Sequence, residues 1–262
     1  MPDLTNTGVL AALARKNAAG SPITDEANLE ARFISDQLVY SDAGTTLLNA
    51  SGDDGSSVQE WHSTHNSYTL SQTTAADKPT FQWNEQNGNP GIQFAASDFM
   101  DGSTAITAYP FTIYIVAEVD DVTNTHALFG IADASASGDY FYISARGADA
   151  NDPLRFDSRS GGGSTRSATT TTGFSAATAF VGTFRGGSGT DREALIDDGS
   201  SGTSTDSSTP ANLDQMAIAS VPRSSPFGEL LGKIYEIRIY LADHDSSTQD
   251  DVLAEFTTKW GT

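Results

Sequence analysis

The chain closes on Phe227-Gly228-Glu229-Leu230-Leu231-Gly232, then Lys233-Ile234-Tyr235-Glu236-Ile237-Arg238-Ile239-Tyr240, and ends on Lys259-Trp260-Gly261-Thr262. Strict alternation after Gly232 predicts a β-strand with one apolar and one polar side. Tyr235, Ile237 and Ile239 are expected to face inward, with Glu236, Arg238 and Tyr240 on the other side. After an acidic turn, a helix is predicted from about Ser246-Ser247, where Ser247 and Asp250 have a capping-box-like spacing. Val252, Leu253, Phe256 and Trp260 fall on one stripe of that helix, and Trp260 is expected to seal one edge of the sheet. A strand clasped by a terminal helix identifies an architecture and leaves the activity open.

Working back from this ending, residues 36–262 carry a β pattern: short alternating runs separated by Gly, Ser, Asp, Asn and Thr. Predicted strands include 91–94, 111–119, 126–131, 140–146, 154–159, 179–185, 192–197, 215–219 and 233–240. The Gly/Ser/Thr-rich stretches 160–172, 186–190 and 199–209 are expected to be loops between strands. Residues 1–35 differ. Positions 9–17 predict a short helix stopped by Gly20 and Pro22, and a second helical turn is expected from Thr24. This segment reads either as an N-terminal arm for docking and oligomerisation or as a helix packed on its own domain.

Composition narrows the functions. The 262 residues carry 34 acidic against 14 basic side chains, a formal net charge of −20. Such a chain is not expected to bind nucleic acid or an anionic membrane, since both need basic surface. Self-repulsion at that charge is screened in concentrated salt, where the Debye length falls to about 3 Å at 1 M, so adaptation to a high-salt environment is expected. The chain has no cysteine, which excludes disulfides and thiolate metal sites. The start, Met1-Pro2-Asp3-Leu4, lacks a basic lead, and positions 9–14 are too short for a signal core, so export by a signal peptide is not expected.

Several passages together resemble the concanavalin A-like, laminin-G-type jelly roll of viral and extracellular proteins. They are Val58-Gln59-Glu60-Trp61-His62, Lys78-Pro79-Thr80-Phe81, Asn87-Gly88-Asn89-Pro90-Gly91-Ile92-Gln93-Phe94, Pro110-Phe111-Thr112-Ile113-Tyr114-Ile115-Val116 and the ending from Gly232 to Gly261. The resemblance covers roughly residues 36–262. It implies an all-β sandwich of two antiparallel sheets with a short N-terminal helical arm and a short C-terminal helix. It also implies a concave face on which members of the fold often bind sugars. The family hosts lectins, glycosidases and structural modules alike, so the fold does not select among them.

Residues suited to such a face lie on the polar sides of the predicted strands. Tyr140, Tyr142 and Arg146 alternate with Phe141, Ile143 and Ala145; Arg155, Asp157 and Arg159 alternate with Leu154 and Phe156. Arg185, Glu236, Arg238 and Tyr240 complete the candidate glycan-binding set. Guanidinium forks and tyrosine faces suit glycan hydroxyls, carboxylates or sulfates. The competing reading is that these arginines neutralise carboxylates in cross-strand pairs.

Catalytic signatures are sparse. Glu118 and Asp120 begin the in-line carboxylate series of the fold's glycosidases, but Val122 or Thr123 stands where the third carboxylate belongs. His62, His65, His126 and His244 have no metal-binding spacing. Calcium is the one ion considered, with Asp98, Asp101, Asp149 and Asp152 as weak candidate ligands and no other cofactor expected. The expectation is therefore a non-enzymatic virion surface protein, a capsid turret, spike or tail-fibre adhesin assembled in the host cytoplasm. It would be a homo-oligomer, touch other virion proteins through its arm and present the sandwich to host glycan or glycoprotein. The alternatives are a purely structural decoration or cement protein and a secreted glycan hydrolase dependent on Glu118.

Overall fold

The computed structural model describes residues 23–199 and 201–262. The helix read at positions 9–17 lies outside the described residues. Two antiparallel sheets face each other, with strands numbered in chain order. The first runs β15 (Gly202–Ser204), β14 (Asp191–Ile196), β13 (Phe180–Ser188), β8 (Phe111–Val119), β17 (Gly232–Tyr240), β6 (Asn89–Phe94) and β5 (Thr80–Gln86). β1 (Leu29–Ile34) adds to it by pairing with the second half of β17. The second sheet runs β12 (Arg166–Gly173), β11 (Pro153–Arg159), β10 (Tyr140–Arg146), β9 (Thr125–Ala132), β16 (Gln215–Ile218), β7 (Met100–Ser103), β4 (Thr69–Ser71), β3 (Glu60–His62) and β2 (Val39–Tyr40). The expected all-β sandwich of two antiparallel sheets is the observed one. No helix among the described residues is long and apolar enough to cross a membrane.

Alternation places the core. Phe141, Ile143, Ala145, Leu154 and Phe156 of the second sheet meet Ile113, Ile115, Ile237 and Ile239 of the first in one buried cluster. Phe111 packs edge-on to Phe141 and Phe156 at 4.9 and 5.9 Å between ring centroids. The long run 111–119 is buried along nearly its whole length because β8 is covered on both faces. One face meets the second sheet. The other meets helix α1 (Ser246–Trp260), whose Val252, Phe256 and Trp260 pack on Tyr114, Val116, Tyr235 and Tyr240.

The structure corrects several details. Glu26–Asn28 forms a single 3₁₀ turn, and β1 follows at once, so the sandwich takes in residues from 29 where the boundary had been read at 36. Positions 160–172 had been assigned to a loop, yet Arg166–Gly173 forms β12, a run of β-branched threonines that pairs with β11. Likewise β13 extends to Ser188, and Gly202–Ser204 pairs with β14. The helix cap is Asp245, whose carboxylate accepts from the Thr248 amide at 2.9 Å, rather than Ser247 with Asp250.

A β-bulge changes the reading of the closing strand. Ile234 pairs with Ala117 while Glu236 already pairs with Val116, so Tyr235 is the extra residue. Tyr235 therefore shares the outer side with Glu236 and packs at a tilt on Trp260, with centroids 5.5 Å apart, whereas Ile237 and Ile239 do face the core. Trp260 covers the middle of this outer face, where its Nε1 donates to Glu236 Oε2 at 2.9 Å; it does not seal an edge.

Candidate functional site

Outside the second sheet, β9, β10, β11 and β12 floor an open cleft of about 650 Å³. Its residues arrive there by strand alternation. Tyr140, Tyr142 and Arg146 project from β10 away from the core, and Arg155 and Asp157 do so from β11. Register brings Tyr142 opposite Asp157, and Asp157 opposite Ser167 on β12. Thr125 and Thr165 complete the polar lining.

The second wall is the segment before β17. Phe227 packs edge-on to Tyr140 and Tyr142, with centroids 5.8 and 5.2 Å away, and Arg223 lies 4.5 Å over the Phe227 ring. The segment is held close by Ala127 N donating to Glu229 O at 2.7 Å and by Leu231 N donating to His126 Nδ1 at 3.3 Å. Gly228 has φ +101°, and a Cβ there would stand 2.7 Å from the Ala127 Cβ, so only glycine lets the chain approach this closely. Beyond it, the exposed Glu229 carries its side chain at the cleft lip.

The polar groups are pre-oriented. Arg155 Nε and Nη2 both donate to Asp157 Oδ2, at 3.0 and 2.8 Å, and Ser167 Oγ donates to Asp157 Oδ1. Arg146 Nε donates to Asp149 Oδ2 at 3.0 Å, and Arg155 Nη1 lies 4.0 Å from the same oxygen. Asp157 is 2% exposed, whereas the Arg155 side chain keeps 24% of its surface open. Burial pushes the Tyr142 hydroxyl up to about 12, so it stays a neutral donor and acceptor across physiological pH. The Tyr140 hydroxyl lies 3.3 Å from Thr165 Oγ1. The chemistry on offer is hydrogen bonding beside aromatic surface.

Five of the ten candidate residues meet in this cleft: Tyr140, Tyr142, Arg146, Arg155 and Asp157. The other five do not. Arg159 donates to the carbonyls of Gly163 and Gly162 at 2.9 and 3.1 Å, bracing its own loop. Arg185 is committed to Asp191, Glu193 and Asp243 at 2.9, 3.1 and 2.7 Å. Glu236, Arg238 and Tyr240 belong to the same candidate set as the arginines of β11, but β17 lies in the opposite sheet and α1 covers all three. They are corrected to buried structural groups. For Glu236 and Arg238, charge neutralisation is the right reading: Arg32 Nε and Arg238 Nε each meet Glu236 Oε1 at 2.7 Å, and Arg238 also pairs with Glu255.

Phe227, Gly228 and Glu229 escaped the sequence reading as site residues. Their segment was read only as the lead-in to a strand, and its contact with β9 and β10 is long-range. The signal available was an aromatic followed by glycine and a carboxylate in a non-strand stretch.

Among the described residues, no three of His, Asp and Glu gather as a metal set. Asp149 faces guanidinium groups where a cation would stand, and Asp98 accepts from the Ala95 amide at 2.8 Å. Burial pushes the carboxyls of Asp98 and Asp101 above their usual range. Asp152 sits at a turn with φ 48°. Glu118 is held by Lys233 Nζ at 3.0 Å and Tyr235 OH at 3.1 Å on the first sheet, away from the cleft.

No family model matches this chain, and no curated protein sequence does. Among solved structures, the botulinum neurotoxin type G receptor-binding domain superposes with a TM-score of 0.55 at 8% identity, covering 87% of this chain and 51% of that one. The likeness is one of fold. The chain thus shares the two-sheet, jelly-roll-like architecture with that domain and spans about half of its length. Looser similarity reaches the CBM40 module of the Ruminococcus gnavus IT-sialidase, solved bound to α2,3-sialyllactose, with a TM-score of 0.48 at 10% identity over 56% of this chain and 82% of that one. The NanB sialidase of Streptococcus pneumoniae gives 0.46 at 17% identity, over 56% of this chain and 24% of that one.

Proposed function

We propose that the chain is a non-enzymatic glycan-binding sandwich, using the cleft on the second sheet as its binding site. The carrying observation is the meeting of three aromatic rings with two buttressed guanidinium groups in one open cleft. Concave sites that mix apolar wall with a few oriented polar groups are what small ligands occupy. A sugar offers both partners: a C–H face for the rings and hydroxyls for Arg146, Arg155 and Tyr142. The hydrolase reading loses support because Glu118 is spent on Lys233 and Tyr235.

The setting we propose is a virion surface, as a turret, spike or tail-fibre adhesin working in high salt, with the N-terminal arm ahead of β1 contacting other virion proteins or further copies of the chain. The charge of −20 and the resemblance to viral jelly rolls support it. Gene neighbourhood tests it directly: portal, capsid and tail genes beside this one are expected.

The site is tested on a glycan array in high salt. Arg155→Ala and Tyr142→Ala should each lower affinity about tenfold or more, while Arg159→Ala leaves it unchanged. Equal loss in all three variants, or none, would remove the cleft from consideration. If no glycan binds the parent protein, the decoration or cement role becomes the better account.

A further inference from the structure

Resting on the glycan-binding reading, we infer that the cleft selects neutral, hydroxyl-rich saccharides and turns acidic ones away. The two arginines at first suggest an anion site, but their charge is already matched. Arg155 spends Nε and Nη2 on Asp157, and Arg146 spends Nε and Nη2 on Asp149. Those are the side-on edges that would grip a carboxylate in the two-pronged geometry, and what each arginine keeps for a ligand is its Nη1 end. Glu229 then adds a third carboxylate at the lip, and it forms no ion pair among the described residues. With Arg223, which lies over Phe227 and donates to the carbonyls of Ser225 and Ser137, three positive charges (Arg146, Arg155 and Arg223) stand against three negative (Asp149, Asp157 and Glu229), so the site has no net positive charge.

A sugar carboxylate or sulfate would therefore enter a site with no net positive charge, on a molecule of charge −20. Within the lining it would shed its hydration without gaining an unmatched cation, which disfavours it. A neutral sugar meets no such cost. The remaining N–H groups of the two arginines can donate singly to hydroxyl oxygens, and Tyr142 can donate or accept. Glu229 can accept from two adjacent hydroxyls, a pattern suited to a vicinal diol. Half-buried Phe227, backed by the buried Tyr140 and Tyr142, offers the apolar surface for the C–H face of the ring.

Salt dependence separates the two ligand classes. Binding of a neutral sugar has no long-range charge term, whereas repulsion of an acidic one is progressively screened between ~0.15 M and ~1 M salt. The full chain is titrated with neutral saccharides and with the sialylated, uronic-acid and sulfated counterparts of each, lactose against 3′-sialyllactose being one pair, with folding followed by circular dichroism at each salt concentration. The expected result is a neutral binder whose affinity changes less than about twofold with salt, and acidic counterparts at least about fivefold weaker, the size of one screened charge contact. That gap should narrow as salt rises and again in Glu229→Gln. An acidic saccharide that binds as well as its neutral counterpart or better, with affinity falling as salt rises, overturns the inference and leaves the glycan-binding reading standing. If no saccharide of either kind binds, the glycan-binding reading falls and takes the inference with it.

Discussion

Glu236 has no exposed surface, yet its carboxylate collects Arg32 Nε and Arg238 Nε at 2.7 Å and Trp260 Nε1 at 2.9 Å. Burial by itself would push its carboxyl up, but the Arg238 and Arg32 guanidinium groups outweigh that and hold it well below the usual carboxylate range. In Glu236→Gln the two guanidinium groups would stay buried against a neutral amide, so a loss of about 3–5 kcal/mol is expected in urea melts at neutral pH. The same group makes stability depend on pH. Its folded value lies below the unfolded value of about 4.3, so the unfolded chain takes up the proton first as pH falls. The contribution is complete above that unfolded value and is lost as pH drops toward the folded one. Stability measured from about pH 5 down to about pH 3 should therefore fall more gently in Glu236→Gln than in the parent. An unchanged slope would assign the acid sensitivity to other carboxylates. Alternation in the sequence put Glu236 and Arg238 on one side of a strand; it could not say that a helix covers that side.

At the scale of elements, β17 and α1 work as a pair. The stripe Val252, Leu253, Phe256 and Trp260 was legible in the sequence because helical period alone fixes it, and all four residues are buried. The bulge at Tyr235 was not legible, since it follows from how β17 registers against β8 more than a hundred residues earlier. Trp260 packs against the bulged Tyr235, with Lys259 Nζ 4.8 Å over its ring. Trp260→Ala should cost about 3–5 kcal/mol, the usual range for removing a buried large aromatic, read as a lower urea midpoint with unchanged slope. A drop under about 1 kcal/mol would mean that α1 contributes little to holding the sheet. The cleft has the same division. Its strand residues were legible because alternation puts them on the side of the sheet away from the core, whereas Phe227, Gly228 and Glu229 enter through a connection whose path depends on the packing of β9.

At the scale of the whole molecule, the charge of −20 sets how the fold meets its solvent. Ion pairs such as Arg185 with Asp191, Glu193 and Asp243, and Lys233 with Glu85 and Glu118, gather two or three carboxylates around one cation, so positive charge runs out before negative charge does. The excess carboxylates repel one another, and salt screens them. The melting temperature should therefore be higher at ~1 M sodium chloride than at ~0.1 M, where the repulsion still reaches over a Debye length of about 10 Å. A melting temperature that falls with added salt would show that the pairs outweigh the repulsion. By itself, the sequence determined the sandwich, most of its strands, the helix stripe and the polar faces, because hydrophobic period and turn residues act locally. Tertiary structure decided which polar faces meet solvent. Glu236, Arg238 and Tyr240 lie under α1 while Tyr142, Arg146 and Arg155 line a cleft, since sheet order and helix docking depend on contacts between residues far apart in the chain.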